Sequence, residues 1–518
     1  VRRYSIELVI FFTALLLFCP WWGHANFVGF ETRFVLFAKN MVWHGFSFFP
    51  QTYGHYYPDY LSTSTALIVF FSLILGGVNA FSAILPTAIA SSLGLVVTYR
   101  IASLVSRRWG LFAVLMSLLT FEFVSQSRTI SQDQWVMLAT CLGFYALMKA
   151  EFSGLQQKST PYFYLFACLL MGFLFRENIG VLIPTGVFCG VLLIQGRLKP
   201  MFLCGGMGLV VAVVGLLLML GAAFYLGGDA LMQQVWWMQV GSRLQHNAAA
   251  PPWHYYLIGG LGSLSLSYPL ALLVLWCRRR ILLAGALTKD ARLLKGLFVY
   301  AGIILIGMSI PGDKKMRYIT AVIPALALLA SYPFASISEE WQRFRRCFQY
   351  AMFGFPVIVL IGLSFLMRYP IHEVSVFATK NHLLYFLLLS LFIGIISWYF
   401  KKNRELLACL TGVMCLFFIV IVVVEPAMQA HDSVAALINT IEKRCPGRRL
   451  GIYRLNKDGA IIKYLANVPY PVKIISVPST VNFPKKLCVL MPRKMKNGGG
   501  REIGSGRLGH KKISILKK

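Results

Sequence analysis

Residues 61–77 read LSTSTALIVFFSLILGG, and whether they cross a membrane decides which side every later loop faces. The chain around them belongs in a bilayer. Of 518 residues 57% are hydrophobic and 13% charged, and the mean hydropathy is +0.67. Apolar runs of crossing length recur at about 6–21, 80–105, 109–124, 134–149, 161–175, 179–194, 200–226, 254–276, 294–310, 318–335, 347–367, 382–400 and 405–424. That predicts an α-helical polytopic membrane protein with about 13 transmembrane helices. The first run follows Arg2 and Arg3, lacks a small-residue cleavage site and ends in CPWWGH, so it reads as an uncleaved span.

The positive-inside rule decides the status of 61–77. If this stretch does not cross and the N-terminus is cytoplasmic, inner loops hold about 20 Lys and Arg residues and outer loops about 10. If it crosses, the bias reverses. The stretch also opens on LSTST and has a short apolar core. It therefore reads as a re-entrant or interfacial helix in a first outer loop, residues 22–79. The net charge of +31 is largely this loop bias, and no nucleic-acid partner is called for.

Everything after Val424 then lies outside. Residues 425–492 alternate polar and β-branched types, which predicts a small α/β module. Residues 493–518 are basic and Gly-rich and read as a disordered tail drawn to anionic lipid. Of the 11 cysteines, only Cys445 and Cys488 lie in this polar part, where an oxidising compartment permits a disulfide. From the sequence, a bond and two free thiols are equally open. No CxxC or Cys/His metal spacing occurs.

Each outer loop offers polar residues close to the membrane surface. They are Glu31, Arg33 and Asp59; Arg128 and Asp133; Arg176, Glu177 and Asn178; Arg243 and His246; and Asp313, Lys314, Lys315, Arg317 and Tyr318. Singly each has a plain reading: an Arg as a headgroup anchor, Asp133 as a helix cap, FREN as a local ion pair. Together, carboxylates and cations on one face of a bundle suit a phosphate and a general base.

The order of these stretches resembles the polyprenyl-phosphate-sugar-dependent glycosyltransferases of the GT-C fold, which include protein O-mannosyltransferases and the lipid A aminoarabinose transferase. FETRF at 30–34 is similar to the family's first-loop acidic motif, matching Glu31 and Arg33, although Phe30 stands where the family has Asp. YGHYYPDYLST at 53–63 follows, with Asp59 in a Glu place and Tyr60 in a Lys place. QSRTISQDQWVML supplies Asp133, and GFLFRENIGVLIP puts Arg176 in a Lys place. VWWMQVGSRLQHNAAAPPWHYYL matches Arg243, with Val240 where the family has His, and PGDKKMRYITAVIPALALL matches Lys314 and Tyr318. The resemblance covers about residues 1–425.

It implies an inverting transferase moving a sugar from a polyprenyl-phosphate carrier to a lipid, glycan or protein acceptor at the outer face of the cytoplasmic membrane. The implied catalytic set is Glu31, Asp59 and Asp133. Arg176, Arg243, Lys314, Lys315 and Tyr318 would hold the donor phosphate; Arg33, Tyr57, His246 and Arg317 would bind substrate. A divalent metal is one option for a cofactor, with no ligands assigned. Two rival readings are a lipid-linked glycan transporter or flippase, expected to carry polar breaks at the midplane and a repeat, and a surface-polysaccharide polymerase or ligase with its key residues in one late loop.

Overall fold

The structure, a computed structural model, describes residues 5–20, 27–29, 32–52, 55–154, 160–242, 251–280, 288–335, 339–368, 392, 403–432, 434–445, 449–455, 460–477, 487–493, 501–508 and 511–517. Among these, eight helices are long and apolar enough to cross a membrane, or up to ten if each of two bent pairs is one span. The expected thirteen are not all found at full length. The first is the 14-residue helix Ser5–Phe18, and of 382–400 only Phe392 is described. Two expected spans are broken. Arg107–Leu118 meets Phe121–Ser127 at 74°, and Tyr255–Ser263 meets Ser267–Arg278 at 117°.

The runs expected at 161–175 and 179–194 form two helical limbs within Thr160–Ile194, separated by non-helical backbone at Arg176 and Glu177. A Cβ on Gly172 would lie 1.9 Å from the Gly180 carbonyl oxygen. In a straight helix, eight residues rise about 12 Å. The chain therefore doubles back at Arg176–Glu177, and only glycines let its two limbs approach so closely.

Ion pairs sort the helix ends into two sets. At one end Glu7 accepts from Arg100 at 3.1 Å, Glu405 holds both Arg108 and Arg345, and Glu151 faces Arg292 at 3.6 Å. At the other, Arg128 donates to Glu425 at 2.5 and 3.1 Å and to the Leu17 carbonyl at 2.5 Å. The first set joins loops expected on one side, the second joins loops expected on the other. A Glu7–Arg100 pair fits an even number of crossings between the two residues, the number expected when 61–77 does not cross.

Thr63–Ile74 is instead a 12-residue helix of about 18 Å, too short for a hydrocarbon core of about 30 Å. It buries Ser64, Thr65, Ile68 and Ser72 and exposes Phe70, Leu73 and Ile74. Its polar side is therefore the one packed on the protein, and its apolar side is left exposed. It packs beside a second first-loop helix, Thr32–His44, which is followed by a short hairpin, β1 Gln51–Thr52 and β2 His55–Tyr56.

After the helix Arg404–Ile419 and its continuation to Asp432, the chain forms a five-stranded sheet: β3 Arg449–Ile452, β4 Lys473–Ser476, β5 Cys488–Pro492, β6 Arg501–Leu508 and β7 Lys511–Lys517. The order is β4-β3-β5-β7-β6, with β4, β3 and β5 parallel and β7 antiparallel to both β5 and β6. The expectation of a disordered tail is thus corrected at 501–508 and 511–517, while 494–500 lie outside the described residues. Residues 513–516 are all buried, with Ile513 and Ile515 in one apolar cluster and Leu516 in another, as alternate side chains of a strand covered on both faces. The glycines of β6 have a packing role: a Cβ on Gly506 would sit 2.9 Å from a Leu437 methyl, so the helix Ala435–Arg444 can lie close on the sheet. Cys445 and Cys488 are disulfide-bonded, with Cα atoms 6.1 Å apart.

This module is fastened to the first loop by its helix Ala460–Asn467. The Asn467 side-chain amide accepts from Phe27 N at 2.6 Å and donates to Phe27 O at 2.9 Å, as a neighbouring strand would. Lys39, buried on Thr32–His44, donates through Nζ to the carbonyls of Ala466 and Val468 at 2.6 and 2.8 Å. Burial lowers the Lys39 pKa from 10.5 to about 8, because the charged form loses water.

Between pH 8 and 10.5 the undocked chain binds the proton and the docked one does not, so docking strengthens as pH rises through that window. In melts of the purified protein, the transition of the module should move up between pH 8 and 10. Lys39→Met should remove that increment. An identical pH dependence in the variant would show that Lys39 is not its source.

Candidate active site

A cavity of about 800 Å³ opens where the first loop, the Arg176 reversal and the 313–318 turn converge. Arg33, Asp59, Tyr60, Glu122, Arg176, Asp313, Lys315, Arg317 and Tyr318 are among its lining residues. A second, largely apolar cavity of about 450 Å³ lies beside it, between Thr160–Ile194 and Leu198–Trp236, and shares Asp313 and Tyr318 with the first.

Arg176 is the organising cation. The reversal leaves its side chain buried, with Nε donating to Asp133 Oδ1 at 3.0 Å. The guanidinium lies 5.7 Å from the Tyr60 ring centre and 5.4 Å from that of Tyr318, within cation–π range. Asp133 is the first residue of Asp133–Phe152, whose cap, Gln132, makes no side-chain capping bond. Asp133 is therefore a partner of Arg176 rather than a cap. Its carboxylate also sits where the helix dipole favours negative charge. Glu177 accepts from the Leu61 N–H at 2.9 Å, which ties the reversal to the segment just before Thr63–Ile74, so FREN is not simply a local pair.

The first loop adds Arg33, whose Nη1 donates to Tyr57 Oη at 2.6 Å while Tyr57 stacks on Tyr60 with ring centres 5.7 Å apart. Tyr60 is buried, and burial pushes its phenol well above the ordinary value, so it stays a neutral donor. Residues 313–315 are extended at Lys315, which sends consecutive lysines opposite ways. Lys315 Nζ meets Asp313 at 3.2 Å and Tyr318 Oη at 3.3 Å. Lys314 turns away and donates to Pro251 O at 3.0 Å. Lys314, expected at the donor phosphate, is thus not among the lining residues of this cavity.

Of the other expected site residues, Asp59, Arg176, Lys315, Arg317 and Tyr318 line the cavity, and Tyr57 and Asp133 support it. Glu31, Arg243 and His246 lie outside the described residues. The sequence reading missed Glu122 and Gln126, and it noted Asp313 and Tyr60 without assigning either a role in the site. Glu122 had a signal, an acid inside the apolar run TFEFV, which is costly unless used. Gln239, beyond a kink at Gly228, donates to the Asp59 carbonyl at 3.0 Å and helps close the cavity. Among the described residues no group of three or more His, Cys, Asp or Glu side chains is placed to hold a metal ion.

ArnT from Cupriavidus metallidurans, bound to undecaprenyl phosphate, matches this architecture with a TM-score of 0.69 at 15% identity over 99% of this chain and 96% of that one. This is the GT-C fold. The apo form of ArnT gives 0.71 at 16% identity with the same coverage. AglB, the archaeal oligosaccharyltransferase from Archaeoglobus fulgidus in complex with an inhibitory peptide and a dolichol-phosphate, gives 0.48 at 12% identity over 92% of this chain and 65% of that one. A family model described as dolichyl-phosphate-mannose-protein mannosyltransferase matches residues 64–225 of the GT-C domain. No curated protein matches the sequence significantly.

Proposed function

We propose that this chain is a membrane glycosyltransferase that takes its sugar from a polyprenyl-phosphate carrier. The observation that carries the reading is the junction of a cation-bearing cavity with an apolar one, at Asp313 and Tyr318. A lipid phosphate needs both: donors for its oxygens and an apolar wall for its chain. The same fold in ArnT is bound to undecaprenyl phosphate. Arg176, Lys315 and Arg317, with Tyr318, take the phosphate, and Arg33 and Tyr57 shape the sugar side. Glu31, Arg243 and His246 enter from the resemblance, and Asp59 and Asp133 are supporting carboxylates. The acceptor is a lipid, glycan or protein group that reaches the cavity from the side of the first loop.

The site and the C-terminal module face away from the cytoplasm at the cytoplasmic membrane. The loop-charge bias supports this side, as does the disulfide in the module.

Binding of undecaprenyl phosphate to the purified protein, read by native mass spectrometry, tests the assignment. The wild type should bind it. Lys315→Ala with Arg317→Ala should weaken binding by about 10²-fold or more, since each charge-assisted contact contributes about 1.5–3 kcal/mol. A wild type that does not distinguish undecaprenyl phosphate from undecaprenol would sink the reading.

A further inference from the structure

We infer that Glu122 is a catalytic residue, the base that takes the proton from an acceptor hydroxyl. The inference rests on the transferase reading and narrows the acceptor to a group that must lose a proton. The other described carboxylates around the cavity are engaged. Asp133 holds Arg176 at 3.0 Å. Asp313 accepts from Lys315 at 3.2 Å and from Tyr318 Oη at 3.1 Å. Glu177 accepts from Leu61 N, and Asp59 also has a partner.

Glu122 differs from them. It is 8% exposed, it lines the cavity, and its one hydrogen bond among the described residues is from Gln126 Nε2 to Oε1 at 3.1 Å. No ion pair to it is formed among the described residues. A neutral amide one helical turn away fixes the carboxylate without neutralising it, and Oε2 is left for a substrate. An acid so deeply buried, held by one amide hydrogen bond and feeling the charges of Arg317 and Asp133 without an ion pair among the described residues, is costly to keep for stability alone. The break between Arg107–Leu118 and Phe121–Ser127, where the Phe121 N–H is taken by Ser265 Oγ at 3.0 Å, is what turns Glu122 into the cavity.

The step balances. The acceptor O–H proton moves to Glu122, and the acceptor oxygen bonds to the anomeric carbon. The bond from that carbon to the phosphate oxygen breaks, and its electron pair leaves on the polyprenyl phosphate held by Arg176, Lys315 and Arg317.

The test adds purified protein in detergent to dispersed membranes from cells of the same species lacking the gene, which contain donors and acceptors alike. Loss of lipid-linked sugar is followed by mass spectrometry, and undecaprenyl-phosphate binding is measured in parallel. Glu122→Gln should bind undecaprenyl phosphate within about twofold of wild type and lose about 10²-fold or more in turnover, the usual span of a general base. Glu122→Ala should recover part of the rate when formate is added, which a merely structural role would not allow. Undiminished turnover in Glu122→Gln overturns the role of Glu122 and leaves the transferase reading standing. So does a turnover loss matched by a binding loss, with no formate rescue. A wild type that consumes no lipid-linked sugar overturns the transferase reading itself.

Discussion

Arg176→Ala is expected to lower stability by about 3–5 kcal/mol, the usual cost of removing one partner from a buried ion pair, and to reduce undecaprenyl-phosphate binding below detection. Both effects have one cause. The buried guanidinium faces Asp133 and two tyrosine rings, so its loss leaves the Asp133 carboxylate buried without its cation. The same charge lines the cavity proposed to take the donor phosphate. Arg176→Lys keeps the charge but not the planar fork or the stacking, and should restore stability more fully than binding. Arg176→Met combined with Asp133→Leu separates the roles further. Removing both charges together should recover most of the melting temperature, since an apolar replacement of a buried pair is often neutral or stabilising, while binding stays lost. Melting and lipid binding measured on the same preparations check this. Normal binding in the stable double variant would take Arg176 out of the donor site.

That residue also shows why parts of this molecule can be read from its sequence. FREN interrupts an apolar run long enough for two spans, and charge in such a place must be solvated or paired, so a reversal there was legible. The charge count over the loops favours a non-crossing 61–77, because it depends on the parity of crossings, and the structure gives a 12-residue helix there, Thr63–Ile74. What pairs with what was not legible. Asp133 lies 43 positions from Arg176, and both a cap and an anion partner suit an Asp at a helix start. Lys314 and Lys315 are equivalent in a sequence; an extended backbone sends one to the cavity and one to a carbonyl. Glu122 was absorbed into an apolar span because nothing local marks the 74° break after Leu118, which depends on a serine 144 positions away. In the tail, glycine suggested disorder. Its use there is close packing against Leu437, and only the partner helix makes that visible.

Loss of the Cys445–Cys488 bond should be felt as far as the cavity. The bond spans 43 positions, and a loop of that length contributes about 4 kcal/mol in the chain-entropy account. Inside the loop lies Ala460–Asn467, whose Asn467 and neighbouring carbonyls hold Phe27 and Lys39 of the first loop. Six residues before Lys39 on the same helix is Arg33, which lines the cavity. Cys445→Ser with Cys488→Ser should therefore lower the melting of the module first. Undecaprenyl-phosphate binding should weaken by about five- to tenfold, the lower range of coupling between linked sites. Reductant added to the wild type should reproduce both effects and add nothing to the double variant. A module that melts early while binding stays unchanged would mean that the first loop holds its shape without it, and that the Lys39 and Asn467 contacts fasten the module to the membrane domain without shaping the site.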